Sequence, residues 1–223
     1  MKQYFSNIRR HFSVYTYLEE FEEYCEIIES QFDNKIRKFK EMENKVPKEH
    51  LDAFWDFYVD EYHDIFVAFP NIHRSSLCIS LHTFLEHQLD SISAELQRNY
   101  DLKISPEDLK DKGITRSKTY LKKVVGINFP DSAPHWNFIT NCNLIRNQFA
   151  HNRGILDKSK DNKKIINAIS QLGHSYIEND EFIRLEKEFC PKFIEEIKLF
   201  LDMLFDEIDI YIKENKSQEN PAK

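Results

Sequence analysis

The chain has 223 residues, of which 41% are hydrophobic and 31% are charged, and its net charge is -7. These values are ordinary for one soluble domain with a buried core, or for such a domain with an added arm. No apolar run reaches the roughly 18–20 residues that a membrane span requires, and the first residues lack the apolar core of a secretion signal. With only 4 Gly and 7 Pro, the composition favours helices throughout. We therefore expect a helical, cytoplasmic protein without membrane contact.

The first predicted helices follow apolar residues that recur at steps of three and four. The helix over residues 13–43 carries such a seam, which packs against a partner helix in the same chain or in a second copy. A second helix runs over about 47–69, with a proline suited to its first turn. Pro70 is expected to end or kink that helix. A third helix covers about 72–100 and places a stripe of leucines on one face.

The middle of the chain, residues 101–134, is predicted to be broken into short pieces. Ser105 begins a short helix with acidic residues in its first turn. Gly113 stops that helix, and Thr115 caps the next one. A loop then leads to a longer helix that begins near Pro134.

After that longer helix, residues 152–164 are predicted to form a charged loop. A short helix follows over about 162–171. The weak alternation of apolar residues over 175–185 indicates either a small hairpin or an irregular arm. The last helix covers about 190–214, and residues 215–223 form a polar, flexible tail.

Together these elements predict an all-α fold, with residues 1–214 in one helical domain. Its N-terminal helix, residues 13–43, either belongs to the core bundle or extends from it. No repeat or low-complexity block indicates a second domain.

The cysteines are far apart in the sequence and form no Cys-x-x-Cys pair. They are Cys25, Cys78, Cys142 and Cys190. We expect reduced thiols in or near the core rather than a zinc site or disulfides. The sequence also lacks a Gly-rich loop of the kind that holds nucleotide cofactors, so no cofactor and no metal are expected.

The chemistry of the sequence is concentrated at the end of the helix that begins near Pro134. Residues four apart on a helix are offset by only about 40°, so Asn147 and His151 lie on one side. Arg146 precedes them and can reach the same surface with its long side chain. Residues 152–154 then give a turn signal. A permanent cation, an amide and an imidazole that titrates near neutral pH suit the cleavage of a phosphodiester without a metal.

Charge is distributed unevenly around these residues. Residues 101–164 hold 13 lysines and arginines against 7 acidic residues, whereas the rest of the chain holds 18 basic and 31 acidic residues. A basic middle flanked by acidic helices can steer a polyanion such as RNA to one face. The alternative is that the lysines between 158 and 164 form only a solvated loop.

The segment from Arg146 to His151 resembles the R-x4-H motif of HEPN-domain proteins (higher eukaryotes and prokaryotes nucleotide-binding). The similarity covers about residues 50–212 and includes a helix that contains Leu85 to Leu89, the segment from Tyr120 to Val124, and Trp136 before the motif. It implies a HEPN-like helical bundle. It also implies a metal-independent endoribonuclease that uses the 2′-hydroxyl of RNA as nucleophile, in a toxin–antitoxin or antiviral defence role. Such enzymes dimerise, so that motifs from two subunits line one cleft; an antitoxin or another partner protein is also implied.

The resemblance assigns roles to individual side chains. Arg146, Asn147 and His151 are the expected catalytic residues: the arginine binds phosphate oxygens, the amide positions the phosphate or the imidazole, and the histidine transfers protons. Glu86 is expected to orient the arginine or the histidine from a facing helix. Arg153 stands where some HEPN toxins have a tyrosine that is modified, which puts such regulation in doubt, but its side chain can add a phosphate contact.

The same residues also allow roles that involve no catalysis. An arginine and a histidine near a helix C-terminus interact well with the helix dipole. Many HEPN proteins are inactive, so the chain can instead be a scaffold that binds nucleotide or a protein partner. His82 and Glu86, four residues apart, form either a polar pair between helices or part of a zinc site, although their order and spacing are not those of the His-Glu-x-x-His motif.

Overall fold

The structure is a computed structural model and describes residues 7–157, 159, 161–179 and 181–219. It is an almost entirely helical protein with one small sheet, which confirms the predicted all-α class. The α-helices are, in chain order, α1 (Asn7–Glu43), α2 (Leu51–His63), α3 (Phe69–Tyr100), α4 (Gly113–Tyr120), α5 (Pro134–Asn152), α6 (Lys163–Leu172) and α7 (Phe189–Glu219). The strands are β1 (Ser175–Glu178) and β2 (Phe182–Leu185).

Of the two outcomes predicted at Pro70, an end or a kink of the helix, the end does not occur. The chain passes from α2 into α3 through a π-helical turn, Asp64–Ala68, and the backbone N–H of Phe69 donates to the carbonyl of Asp64. A wide turn of this kind lets the helix continue past a proline, which lacks an N–H and would clash with an ordinary preceding turn. Pro70 therefore lies in the first turn of α3.

In the middle of the chain, the start predicted at Ser105 is confirmed, since Ser105 is the N-cap residue of its turn, but the roles predicted for Gly113 and Thr115 are wrong. The helix that Gly113 was expected to precede begins at Gly113 itself, so Thr115 lies inside α4 and does not cap it. The short helix after Ser105 is a single 3₁₀ turn, Pro106–Asp108, and the backbone N–H of Ser105 donates to the Asp108 carboxylate at 2.8 Å. The predicted start of the motif helix is confirmed, with Ala133 as its N-cap residue.

The segment at 175–185 is a hairpin rather than an irregular arm. Its strands are antiparallel, with Ser175 opposite Leu185 and Glu178 opposite Phe182. The last helix, α7, extends to Glu219, so residues 215–219 continue a helix instead of forming the predicted tail. Residues 220–223 lie outside the described residues.

The main hydrophobic core joins all four long helices. α3 contributes the leucine stripe that the sequence predicts, and α7 contributes the largest share of buried aromatic and aliphatic residues. Leu18 and Cys25 bring the first half of α1 into this core. The second half of α1 packs through Phe39 against α2 in a separate aromatic cluster with Phe54. α1 therefore belongs to the core bundle in its first half, and its last part packs with α2 in this second cluster.

The motif helix α5 is central to this arrangement, since it packs against α3, α6 and α7. Trp136, Ile139, Cys142, Ile145 and Phe149 form its buried face. Its first turn is fixed to α7 by a bond of 2.6 Å between His135 Nδ1 and the Glu196 carboxylate. Within the part of the chain that the structure describes, no helix is long and apolar enough to cross a bilayer.

Candidate functional site

Arg146 is the best-anchored of the predicted catalytic residues. It projects from α5 toward α3, and 20% of its side chain is exposed. Its Nη2 group donates to Glu86 Oε2 at 2.9 Å, and its Nη1 group donates to Asn147 Oδ1 at 3.0 Å. Its Nε and Nη2 groups lie 3.2 and 3.0 Å from His82 Nδ1. The guanidinium is thus held from three directions, and charge-assisted bonds of this kind are stronger than neutral ones.

Glu86 lies on α3, which packs against the motif helix α5. Its carboxylate meets Arg146 through Oε2, while Oε1 lies beside the start of α4 at Gly113. A Cβ atom on Gly113 would come within 3.4 Å of Oε1, and the φ of Gly113 is +59°, which favours glycine. The glycine therefore lets α4 begin close against this carboxylate.

His82 was predicted only as a partner of Glu86, which lies 3.8 Å from its Nδ1 atom, and its contact with Arg146 was not predicted. His82 is 1% exposed, and burial, followed by the charge of Arg146, lowers its pKa to about 4. Its Nδ1 atom accepts from Arg146, so its proton is on Nε2, which has no partner among the described residues. The sequence does place His82 four residues before Glu86. It gives no signal that both side chains reach the same arginine.

Asn147 and His151 lie on the outer side of α5. The amide oxygen of Asn147 accepts from Arg146, whereas its amide nitrogen has no bond to another described residue. His151 is exposed in the last turn, one turn beyond Asn147, or about 6 Å along the axis. Within the described chain no hydrogen bond joins His151 to Arg146 or Asn147. The structure thus joins Arg146 and Asn147 directly and leaves His151 free on the neighbouring turn.

The turn after the motif is tightly built, as the sequence signal at 152–154 predicts. Arg153 adopts a left-handed conformation with φ +55°, and its backbone N–H and that of Gly154 both donate to the Gln148 carbonyl. The Gly154 carbonyl accepts from the N–H of Ile183 at 2.9 Å, which attaches this turn to β2. The Arg153 side chain is exposed. It is not part of the Arg146 cluster.

The basic stretch is only partly available to a ligand. Lys118 and Lys122 both pair with Asp131, and they lower its pKa to about 2. Lys164 is exposed and, within the described residues, has no ion pair. α6 runs antiparallel to α5, since Asn141 bonds to Gln171, so the lysines at its start lie at the same end as His151. Lys158 and Lys160 lie outside the described residues.

Elsewhere in the described chain, one group of side chains has the spacing of metal ligands. His174, Glu186 and Glu188 place their ligand atoms within 4.8 Å of one another, at the base of the hairpin. All three are exposed, and His174 and Glu186 already pair with each other at 3.5 Å. The group is separate from the Arg146 cluster, and neither His82 nor Glu86 belongs to it.

Comparison of the chain with protein-family models, curated proteins and solved structures finds no match. The resemblance to HEPN proteins therefore depends on the motif and on the helices around it.

Proposed function

We propose that this chain is a metal-independent endoribonuclease of the HEPN type, with Arg146, Asn147 and His151 as its catalytic residues. The observation that carries the proposal is a row of groups without partners on α5, among the described residues. They are one Nη1 hydrogen of Arg146, the amide N–H₂ of Asn147 and the imidazole of His151. Donors that are fixed before the substrate arrives stabilise charge that grows on a phosphate in the transition state.

The reaction that fits these groups is transesterification within the RNA. The 2′-oxygen attacks the adjacent phosphorus, a 2′-O–P bond forms, and the bond from phosphorus to the 5′-oxygen breaks. A base takes the proton of the 2′-hydroxyl, and an acid gives a proton to the leaving 5′-oxygen. His151 is suited to proton transfer, and Arg146 and Asn147 to binding the phosphate oxygens. The products are a 2′,3′-cyclic phosphate and a 5′-hydroxyl.

One chain supplies one histidine of this motif, whereas the reaction needs both an acid and a base. We therefore propose a two-fold homodimer in which His151 of each copy faces a shared cleft. Because His151 is exposed and bonded to no other described residue, it is free to serve such a cleft. Arg153 and Lys164 lie at the same end of α5 and α6 and can add contacts to the RNA backbone.

The direct test is the incubation of the purified protein with transfer, ribosomal and messenger RNA in EDTA. Wild type is expected to cleave RNA. Arg146→Ala and His151→Ala are each expected to lower the rate of cleavage by a factor of about 10² or more. Arg37→Ala and His174→Ala are matched controls, because these residues are exposed and distant in the sequence from the motif. Equal cleavage by wild type and both motif variants would show that the activity is not that of this site.

The dimer is tested by mixing. If the site is composite, an excess of His151→Ala protein captures wild-type subunits in mixed dimers and lowers the rate for each wild-type chain. If each chain acts alone, that rate does not change. Light scattering on the same samples gives the mass of the assembly.

The proposed role in the cell is that of a toxin or an antiviral defence nuclease controlled by an antitoxin or another partner protein. Induced expression of wild type is then expected to arrest growth and to fragment RNA, and expression of Arg146→Ala is not. If both proteins arrested growth, the arrest would not be caused by RNA cleavage at this site.

A second function is favoured by one specific observation. Glu86 pairs with Arg146 at 2.9 Å, which offsets the charge that a phosphate would meet. A catalytically silent HEPN scaffold that binds nucleotide or a protein partner would keep this ion pair for stability alone. It predicts no cleavage of any RNA, together with a rise in the melting temperature when a nucleotide is added.

A further inference from the structure

His82 contacts the guanidinium in a way that the R-x4-H motif does not require. Its Nδ1 atom lies 3.2 Å from Nε and 3.0 Å from Nη2 of Arg146, so it accepts along one edge of the planar group. Glu86, one turn further along α3, accepts from Nη2 at 2.9 Å. Two successive turns of α3 thus hold the same side chain.

The two acceptors differ in a way that matters for a phosphate site. Glu86 is an anion and offsets part of the arginine charge. A neutral imidazole accepts hydrogen bonds and fixes the plane of the guanidinium without cancelling any charge. A second carboxylate at position 82 would hold the arginine equally well, but it would repel the phosphate that the arginine is meant to bind.

The burial of His82 keeps it in this neutral form. The side chain is 1% exposed, its Nε2 atom is enclosed without a partner among the described residues, and the nearest charge is the Arg146 cation. A protonated imidazole would face that cation, its Nε2–H would have no acceptor among the described residues, and the Glu86 carboxylate, 3.8 Å from Nδ1, already accepts from Arg146. The tautomer that carries its proton on Nε2 is therefore the form that the packing selects.

We propose that His82 is a positioning residue for Arg146: as a buried, neutral acceptor it sets the plane of the guanidinium so that its Nη1 edge points toward Asn147 and the outer face of α5. The effect of His82 on RNA cleavage rests on the proposed function, whereas its effect on the arginine does not. The two can be measured separately.

The spectroscopic test needs no RNA. In nitrogen-15 spectra of the whole chain at pH 7, the Nε–H signal of Arg146, assigned by its loss in Arg146→Lys, is expected to exchange slowly with water. His82→Leu removes the acceptor and is expected to speed this exchange at least tenfold. His82→Asn keeps an acceptor oxygen near the Nδ1 position and is expected to retain slow exchange. The imidazole signals of wild type are expected to show a bare Nδ1 and a protonated Nε2.

The kinetic test uses the same variants with RNA in EDTA. His82→Leu is expected to lower kcat by about ten- to a hundredfold with little change in KM, since a misoriented group still binds but no longer meets the transition state. His82→Asn is expected to recover most of that loss, which a merely structural role would not produce.

Several results would overturn the proposal. They are a protonated Nδ1 in wild type, slow Arg146 Nε–H exchange in folded His82→Leu, or fast exchange in folded His82→Asn. If His82→Leu does not fold, the wild-type tautomer and the His82→Asn spectrum still decide the matter. If wild type cleaves no RNA, the proposed function fails, and the spectra still decide whether His82 positions Arg146.

Discussion

At the scale of single residues, the site is governed by how one arginine is shared between unlike partners. Arg146 meets a carboxylate, an amide and a neutral imidazole, and the imidazole is the most deeply buried of the three. A buried histidine beside a cation stays neutral, so the interaction depends on pH. This dependence gives a test that requires no substrate.

Acid is expected to destabilise the protein through His82. Its pKa is about 4 when folded and about 6.5 when unfolded, so the unfolded chain binds more protons between these values. Keeping His82 neutral therefore adds about 3 kcal/mol to the free energy of unfolding above pH 6.5. This stabilisation is lost as the pH falls to about 4 and below. Urea unfolding of wild type and His82→Asn from pH 7 to pH 4 measures this loss as a change in the difference between their free energies of unfolding.

The variant is the control, because Asn does not titrate. The pKa of the buried His73 is also lowered, but it contributes equally to both proteins and cancels in the difference. Parallel stability curves for wild type and His82→Asn would contradict the expected pKa of His82.

At the scale of elements, the turn that ends α5 decides where His151 and Arg153 are presented. Gly154 has a φ of +76°, and a Cβ atom there would lie 2.7 Å from Cε1 of the buried Phe149 ring. The same residue accepts a bond from β2, so the turn has little room to move. The glycine is needed for space as well as for backbone conformation.

Gly154→Ala is therefore expected to be more destabilising than Gly126→Ala. Both positions have a positive φ, but nothing lies within 4 Å of a Cβ atom at Gly126. The shared backbone strain costs about 1 kcal/mol, and the clash with Phe149 adds about 1–3 kcal/mol. In thermal unfolding, the Tm of Gly154→Ala should be lower than that of Gly126→Ala by about 2–4 °C or more. Equal melting temperatures would mean that the ring moves aside at no cost.

At the scale of the whole molecule, a second arginine links α1 to α3 and to the hairpin. Arg74 on α3 makes a two-bond pair with Glu29 on α1, at 2.7 and 2.8 Å, and also donates to the Leu185 carbonyl of β2 at 3.0 Å. The Glu29 side chain is only 5% exposed. Three separate parts of the chain thus meet at one guanidinium.

Removal of one partner of this pair is expected to be costly, because the other charge stays buried. Glu29→Leu alone should lower the free energy of unfolding by about 3–5 kcal/mol, and Glu29→Leu with Arg74→Met should cost less than the sum of the single changes. Arg37 and Glu41 form a matched pair on the exposed surface of α1. Its removal should cost only about 0.3–0.5 kcal/mol. Similar losses in the free energy of unfolding at the buried pair and at the exposed pair would contradict the expected cost of leaving one buried charge unpaired.

The thiols are a second property of the whole bundle, since each of the four long helices contributes one buried free cysteine. Burial raises the pKa of Cys25 to about 11 and that of Cys78 to about 12, and it raises those of Cys142 and Cys190 well above their ordinary value. We expect almost no reaction of the native protein with a thiol reagent at pH 8, and four equivalents in denaturant. Rapid labelling of the native protein would contradict this packing.

The sequence by itself determined that the chain is helical and where the motif helix begins and ends. Apolar residues at steps of three and four fix which face of α3 and of α7 is buried, and residues 152–154 end α5, because these effects act between near neighbours. The adjacency of Arg146 and Asn147 and the exposure of His151 follow from the same local geometry. The alternation over 175–185 allowed a hairpin, and the pairing of β1 with β2 decided it.

Only the tertiary structure decided what surrounds Arg146. His82 and Glu86 lie 64 and 60 residues away in the sequence, and they reach the guanidinium because particular turns of α3 and α5 face each other. Helical periodicity gives the face of each helix but not the axial register between two helices, which the side chains of the whole core set together. The π-helical turn before Pro70 is another feature that the sequence did not indicate, and it lets the helix continue past the proline.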